Sequence, residues 1–506
     1  MTDFRKPSDE KELVAMLDSI DARLEEIGAR SSLAHFNRLT GTPHEDLEAL
    51  NRESAAIMLN AEYRDTIESW RSRSLPPRLL RRLDLFHRAF RSARIDNNPG
   101  LFALANRIEE KIIRFQPELD GVKLSRSDLG KVLETEPDRA RRERAYRANK
   151  ALGELIEQDV LELFAYRNDL AKELGAATYV DLGLELADLK ESELDTLFDQ
   201  VRLATEDLWN DTLSDIARKL GISSPAPWDF SYYIHSVLPS PPSSKFPKSG
   251  IIPTFRKWLA RCGGDLGKLP IEVIEQDIPY GGLCVPIRMG RDIRILTNPR
   301  DGLSWYNILF HEFGHGIHAS LIDTSSHLVA GGDPSFFWEG IAGVFQWITD
   351  MPAFLQDEFG MTDREIADVV RQNRVRNILG YRNIAVACRL EWAIYRRTPD
   401  PRKYLEDLLR DTIGIEPPER PSWAGDTLYT THPLYHQNYL LMDVMATQTI
   451  DAVRRSFGTY PAPGMFDFVV DHYVREGGWK PWRDKIAEAT GSPLTAQALG
   501  HYLTDH

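Results

Sequence analysis

Apolar residues recur at steps of three and four along most of the chain. Between positions 9 and 29, Leu13, Leu17, Ile20, Leu24 and Ile27 are spaced one helical turn apart, with charged residues between them. At 3.6 residues per turn, that spacing lays one apolar stripe along a helix. The same period runs through 44–73, 77–95, 101–115, 136–174 and 191–220. Long amphipathic helices with short polar breaks predict a layered bundle. The first strong break is 239–249, Pro-Ser-Pro-Pro-Ser-Ser-Lys-Phe-Pro-Lys-Ser, too rich in proline to hold a helix. It reads as a surface loop inside a single unit spanning 1–506, with a helical N-terminal lobe over 1–238 and a second lobe over 250–506. Just before position 300 the period changes from helical to alternating. Residues 281–288 and 292–298 alternate and are joined by Met289-Gly290-Arg291, which predicts a hairpin. The expected class is therefore all-α, with a small β hairpin or sheet.

Charge and cysteine usage narrow the partners. The 506 residues carry 62 Lys plus Arg against 76 Asp plus Glu, a net charge of −14. That balance argues against nucleic acid and anionic membranes as partners. No apolar run is long enough to span a bilayer, and the opening MTDFRKPSDEKEL is not followed by a secretory apolar segment. Cys262, Cys284 and Cys388 are too few, and odd in number, for a disulfide scaffold; they suit a reducing compartment. A cytoplasmic location is the expectation.

The chemistry concentrates after the predicted hairpin. Residues 304–322 form an apolar helical run that Asp301 or Ser304 is placed to cap. Inside it lies His311-Glu312-Phe313-Gly314-His315. Two histidines at i and i+4 share one helix face, so both imidazoles reach a single zinc ion, and Glu312 lies beside the first ligand as a base for a water. The flanking Ile308, Leu309, Phe310, Phe313 and Ile317 predict that this helix is buried, where unpartnered histidines would be costly. A catalytic zinc takes a third protein ligand. Glu339 sits in a second, almost wholly apolar helix predicted over 336–348, starting near Asp333-Pro334, and is the candidate. Its rivals are His318, His327 and Asp323, of which His318 is better placed to orient a neighbour.

These residues resemble a known family. His311-Glu-Phe-Gly-His-Gly-Ile-His318 is similar to the metal-binding helix of the thimet-oligopeptidase and oligoendopeptidase-F peptidases. A glutamate 24 residues after the second histidine resembles both that family and its relative, angiotensin-converting enzyme. Asp333 to Ala342 looks like the converting-enzyme version with one residue inserted. Asp292 to Asn298 is similar to the edge strand that binds substrate backbone, and Trp228 to Tyr233 echoes a further segment. A third block, His432-Pro-Leu-Tyr-His-Gln-Asn-Tyr439, resembles the tyrosine-rich segment that faces the zinc. The resemblance covers 225–506, most specifically 292–347 and 432–450. The N-terminal half matches only in being helical. Gly343 stands where converting-enzyme relatives place an acidic residue that supports a zinc ligand, and His436 stands where a tyrosine is usual.

What the resemblance implies is a zinc metallopeptidase with one Zn2+ per chain, two helical lobes around a deep channel, and short peptides as substrates. Glu312 would be the general base, and Tyr439, with His436 or His432, would donate to the oxyanion. The altered third block motivates one alternative, a specialised zinc amide hydrolase or processing enzyme acting on a small amide in a biosynthetic pathway. A catalytically inactive binding protein is the other.

Overall fold

A computed structural model describes residues 4–278 and 281–504. The elements that position the site are α1 (Glu10–Leu39), α2 (Arg139–Glu173), β1 (Ile271–Glu275), β2 (Gly282–Arg288), β3 (Asp292–Thr297), α3 (Leu303–Leu321), α4 (Ser335–Gln346), α5 (Asp363–Tyr395) and α6 (Gln437–Phe457). Among the described residues the protein is all-α apart from these strands and a two-stranded pair at 118–123.

Helices form where the apolar period placed them. Asp9 starts α1 by accepting the Glu12 amide, and Leu13, Leu17, Ile20, Leu24 and Ile27 are buried along its length. Two of the predicted runs are divided. The 44–73 run becomes Leu47–Met58 and Ala61–Arg71, because the Asn60 side chain accepts the Tyr63 amide and caps a new start. The 191–220 run breaks at Thr205, whose hydroxyl donates to the Val201 carbonyl. Periodicity carries across such breaks, since capping residues cost the apolar stripe nothing.

The chain folds into two compact units, each discontinuous. The first takes the chain up to Asn97, then Pro242–Gly360 and Leu441–Thr495; the second takes Asn98–Pro241, Met361–Leu440 and the chain from Ala496. The expected lobes 1–238 and 250–506 do not coincide with these units. An amphipathic pattern states which face of a helix is buried, but not which helix buries it.

In the first unit the α1 stripe shares a core with Ile57, Ile67, Trp70, Leu83, Phe86 and Phe90. Near its end Phe36 packs on Val285, Ile287 and Leu296 of the sheet. Buried Arg82 binds Asp18 and Asp21, and Asp21 also accepts Ser326 Oγ and the Leu328 amide, so α1 is tied to the loop after α3. The hairpin forms as predicted, with Gly290 at φ +75 in its turn, but the sheet gains a third strand, β1. The order is β1-β3-β2, with β1 parallel and β2 antiparallel to β3. Residues 292–298, likened above to an edge strand, therefore hold the centre, and β2 is an edge. The start of α3 also differs from expectation. Gly302 at φ 142 precedes the helix, while Asp301 accepts the Lys248 amide instead of capping.

In the second unit α2 and α5 are joined by buried polar contacts. Arg167 donates to Tyr395 Oη and to the carbonyls of Tyr429 and Thr430. Asn168 bonds the Tyr395 carbonyl and the Tyr179 amide. The rings of Phe164 and Tyr179 stack on Tyr395 at 4.2 and 5.2 Å. Arg139 and Arg142 converge on fully buried Asp229, which gives the Trp228–Tyr233 segment a fixed place.

Candidate metal centre

The packing of α3 on α4 builds the site. At Gly314 an added Cβ would lie 2.6 Å from Ala342 Cα and 3.0 Å from its carbonyl oxygen, so the two backbones touch. Glycine alone permits that approach. Gly340 and Gly343 do the same on the other side of α4, where Met445 and Ala446 of α6 press against them. The close crossing lets three short side chains meet. Nε2 of His311 lies 3.1 Å and Nε2 of His315 lies 3.5 Å from Oε2 of Glu339. Among the described residues, His311, His315 and Glu339 form the one group of such side chains that could hold a metal ion, with ligand atoms all within 4.8 Å of one another.

The electrostatics agree with a shared centre. Burial alone would raise the Glu339 carboxyl, but the two imidazoles outweigh it and hold that group well below the usual carboxylate range. Burial depresses His311, yet contact with Glu339 lifts its pKa above the ordinary value. Nδ1 of His311 is 2.7 Å from Oε1 of Gln346, and a ring that donates there offers Nε2 to a metal. Gln346 was not singled out from the sequence. It lies two turns after Glu339 on α4. Two imidazole nitrogens and a carboxylate, with one ring oriented by a side-chain acceptor, suit a catalytic zinc.

Glu312 points to the sheet. Its Oε2 accepts the Cys284 amide of β2 at 2.7 Å, and Gly282 makes room, since a Cβ there would meet Glu312 Cγ at 3.0 Å. The rival ligands stand elsewhere. His318 is buried beside the Trp338 ring at 5.5 Å, and burial, with His315 and Lys485 nearby, pushes it down to about 3. Asp323 accepts the Ser325 amide and Trp479 Nε1, and His327 packs beside Gly28 of α1. Asp333, expected at the start of α4, precedes it without capping it and instead pairs with Lys485 at 2.6 Å, both side chains fully buried.

His432, His436 and Tyr439 belong to the second unit. His432 is exposed, with Nδ1 2.9 Å from Thr431 Oγ1. Tyr439 is exposed, its ring 5.6 Å from that of Tyr435. His436 is buried between two carboxylates, Asp426 at 2.9 Å from Nε2 and Glu391 at 3.8 Å from Nδ1. Burial opposes its charge, but the two acids prevail and raise its pKa to about 9. Both nitrogens of this ring therefore face acids, an arrangement suited to holding a loop more than to donating to a substrate.

No family model matches the chain, and no curated protein matches it in sequence. Solved structures do. The M32 carboxypeptidase from Deinococcus radiodurans R1 superposes with a TM-score of 0.67 at 15% identity, covering 97% of this chain and 98% of that one. Pz peptidase A, solved with an inhibitor, gives 0.72 at 14% identity over 99% of this chain and 93% of its own. A Pyrococcus furiosus carboxypeptidase gives 0.65 at 14% identity over 99% of both. Over nearly its whole length, the chain shares the fold of these peptidases.

Proposed function

We propose that this protein is a zinc metallopeptidase that hydrolyses peptide bonds in short peptides, with one zinc held by His311, His315 and Glu339. The observation that carries the reading is the convergence of those three donors, with Glu312 one residue after the first of them. Zinc bound there supplies Lewis acidity to a peptide carbonyl and lowers the pKa of a water. Glu312, anchored through Oε2 by the Cys284 amide, takes the proton from that water with its other oxygen and passes it to the leaving amine. Tyr439 donates to the oxyanion, with exposed His432 as its companion. His436, bound to Asp426, is a positioning residue for the segment that carries both. Support for these last roles is the resemblance of 432–439 to the peptidase segment.

A second reading is carboxypeptidase action, favoured by the names of two of the structural neighbours. The test uses quenched peptides with free and amidated C-termini, together with zinc analysis. The wild type is expected to contain one zinc and to cleave both peptide forms. Cleavage of the free form alone would favour the second reading. Glu312→Gln is expected to keep zinc and lose at least ~10² in rate, the usual scale of a general base. Near-normal turnover in that variant, or a wild type without zinc, would defeat the proposal.

A further inference from the structure

The second unit contains a cavity of about 490 Å³ lined entirely by its own residues. Small-molecule sites span roughly 300–1,000 Å³ and join apolar walls to a few placed polar groups. This cavity has that character. Phe230, Leu390, Ile413 and Trp423 supply apolar wall, and Lys150, Asp426 and Ser422 supply polar groups.

Two of the polar groups carry opposite charge. Lys150, on α2, has no carboxylate within ion-pair distance among the described residues; its aromatic neighbour is Tyr146, 5.7 Å from Nζ. Its side chain is exposed and borders the cavity. Asp426 is kept ionised from behind: Oδ2 accepts His436 Nε2 at 2.9 Å and Oδ1 accepts the Leu428 amide at 3.1 Å. Ser422 borders the cavity, but its Oγ is turned against Gly153 of α2 and takes no part. One exposed cation and one half-exposed anion thus border the same apolar cavity with no ion pair between them. A fatty acid would satisfy Lys150 and place its tail beside Asp426. An amine would do the reverse. A ligand carrying both charges on a small apolar body answers both groups.

We infer that this cavity binds a short apolar zwitterion, a free apolar α-amino acid or dipeptide, with its carboxylate on Lys150 and its ammonium on Asp426. The inference does not rest on the peptidase reading, because its readout is binding.

The test is calorimetry on the intact zinc-loaded protein with L-phenylalanine, L-leucine, phenethylamine and 3-phenylpropionate. L-Phenylalanine and L-leucine are expected to bind. The two analogues lacking one charge should bind at least ~10-fold more weakly than phenylalanine, the scale of one charge-assisted hydrogen bond. Lys150→Met should weaken phenylalanine binding by at least ~10-fold, and Leu379→Trp, which fills the chamber while keeping both charges, should abolish it. Circular dichroism and melting confirm that each variant is folded, and two variants guard against the failure of one. Equal binding of 3-phenylpropionate and phenylalanine would reduce the site to an anion pocket and overturn the inference. So would no binding by either amino acid, or wild-type binding in both variants.

Discussion

Gly314→Ala tests the reason the metal group exists. The new Cβ would sit 2.6 Å from Ala342 Cα, 3.0 Å from its oxygen and 3.2 Å from its carbonyl carbon. All three are backbone atoms, so no side-chain rotation relieves the contact. Restoring an ordinary separation moves α4 away from α3 by about 1 Å. Overpacking of this kind costs roughly 1–3 kcal/mol. The larger effect falls on the ligands, because His315 follows Gly314 and Glu339 lies one turn before Ala342. Zinc sites tolerate errors of about 0.2 Å in ligand distance, so a shift several times larger should lower zinc affinity by at least ~10-fold. Competition against a chromophoric chelator measures that affinity, and melting measures the stability. Gly380→Ala is the control, since an added Cβ on that helix meets nothing within 4 Å; it should gain up to ~1 kcal/mol and leave zinc binding alone. If Gly314→Ala matches Gly380→Ala in both measurements, the close crossing does not set the ligand geometry.

The remaining predictions concern charge and the third block. His436 has a folded pKa of about 9 against an ordinary 6.5, so the folded state holds the proton more tightly. The stabilisation, on the order of 3 kcal/mol, is complete below pH 6.5 and disappears as pH rises through 9. Denaturant melts from pH 6 to 9.5 should show this decline in the wild type and not in His436→Gln; equal slopes would refute it. Lys485→Met strands the Asp333 carboxylate, fully buried in the native pair, and should cost ~3–5 kcal/mol, most of it recovered by adding Asp333→Leu. An additive double mutant would show that the pair is not coupled. Tyr439→Phe should lower kcat by ~10²–10³ with little change in KM, since an oxyanion donor acts mainly in the transition state. Wild-type kcat in that variant and in His432→Ala would make 432–439 a structural segment.

The metal group was legible because its chemistry is local. A four-residue spacing places His311 and His315 on one helix face whatever surrounds them, and Glu339 stood out as a carboxylate in an apolar helix. Gln346 was not legible, because glutamine at a helix end is ordinary until the fold sets it against His311 Nδ1. The strand at 271–275 was missed for a related reason. Five residues with three apolar members fit several structures, and only parallel pairing with β3 decides among them. His436 read as a donor from its place in the motif, whereas Asp426 and Glu391, 10 and 45 residues away in sequence, give it a different task.

The alternation of the chain between two units has a consequence for synthesis. The apolar stripe of α1 meets Ile57 to Phe90 within the first segment, but the rest of the unit arrives in two further instalments. Phe36 waits for Leu296, Asp21 for Ser326, and Gly340 for Met445. The first unit cannot close until translation passes Leu441 and is complete only at Thr495. Vectorial folding, in which an N-terminal domain finishes before the next begins, is therefore closed to this protein. A nascent chain halted before 441 holds a large unsatisfied apolar surface, and such a fragment is expected to need chaperone protection until the last segment emerges.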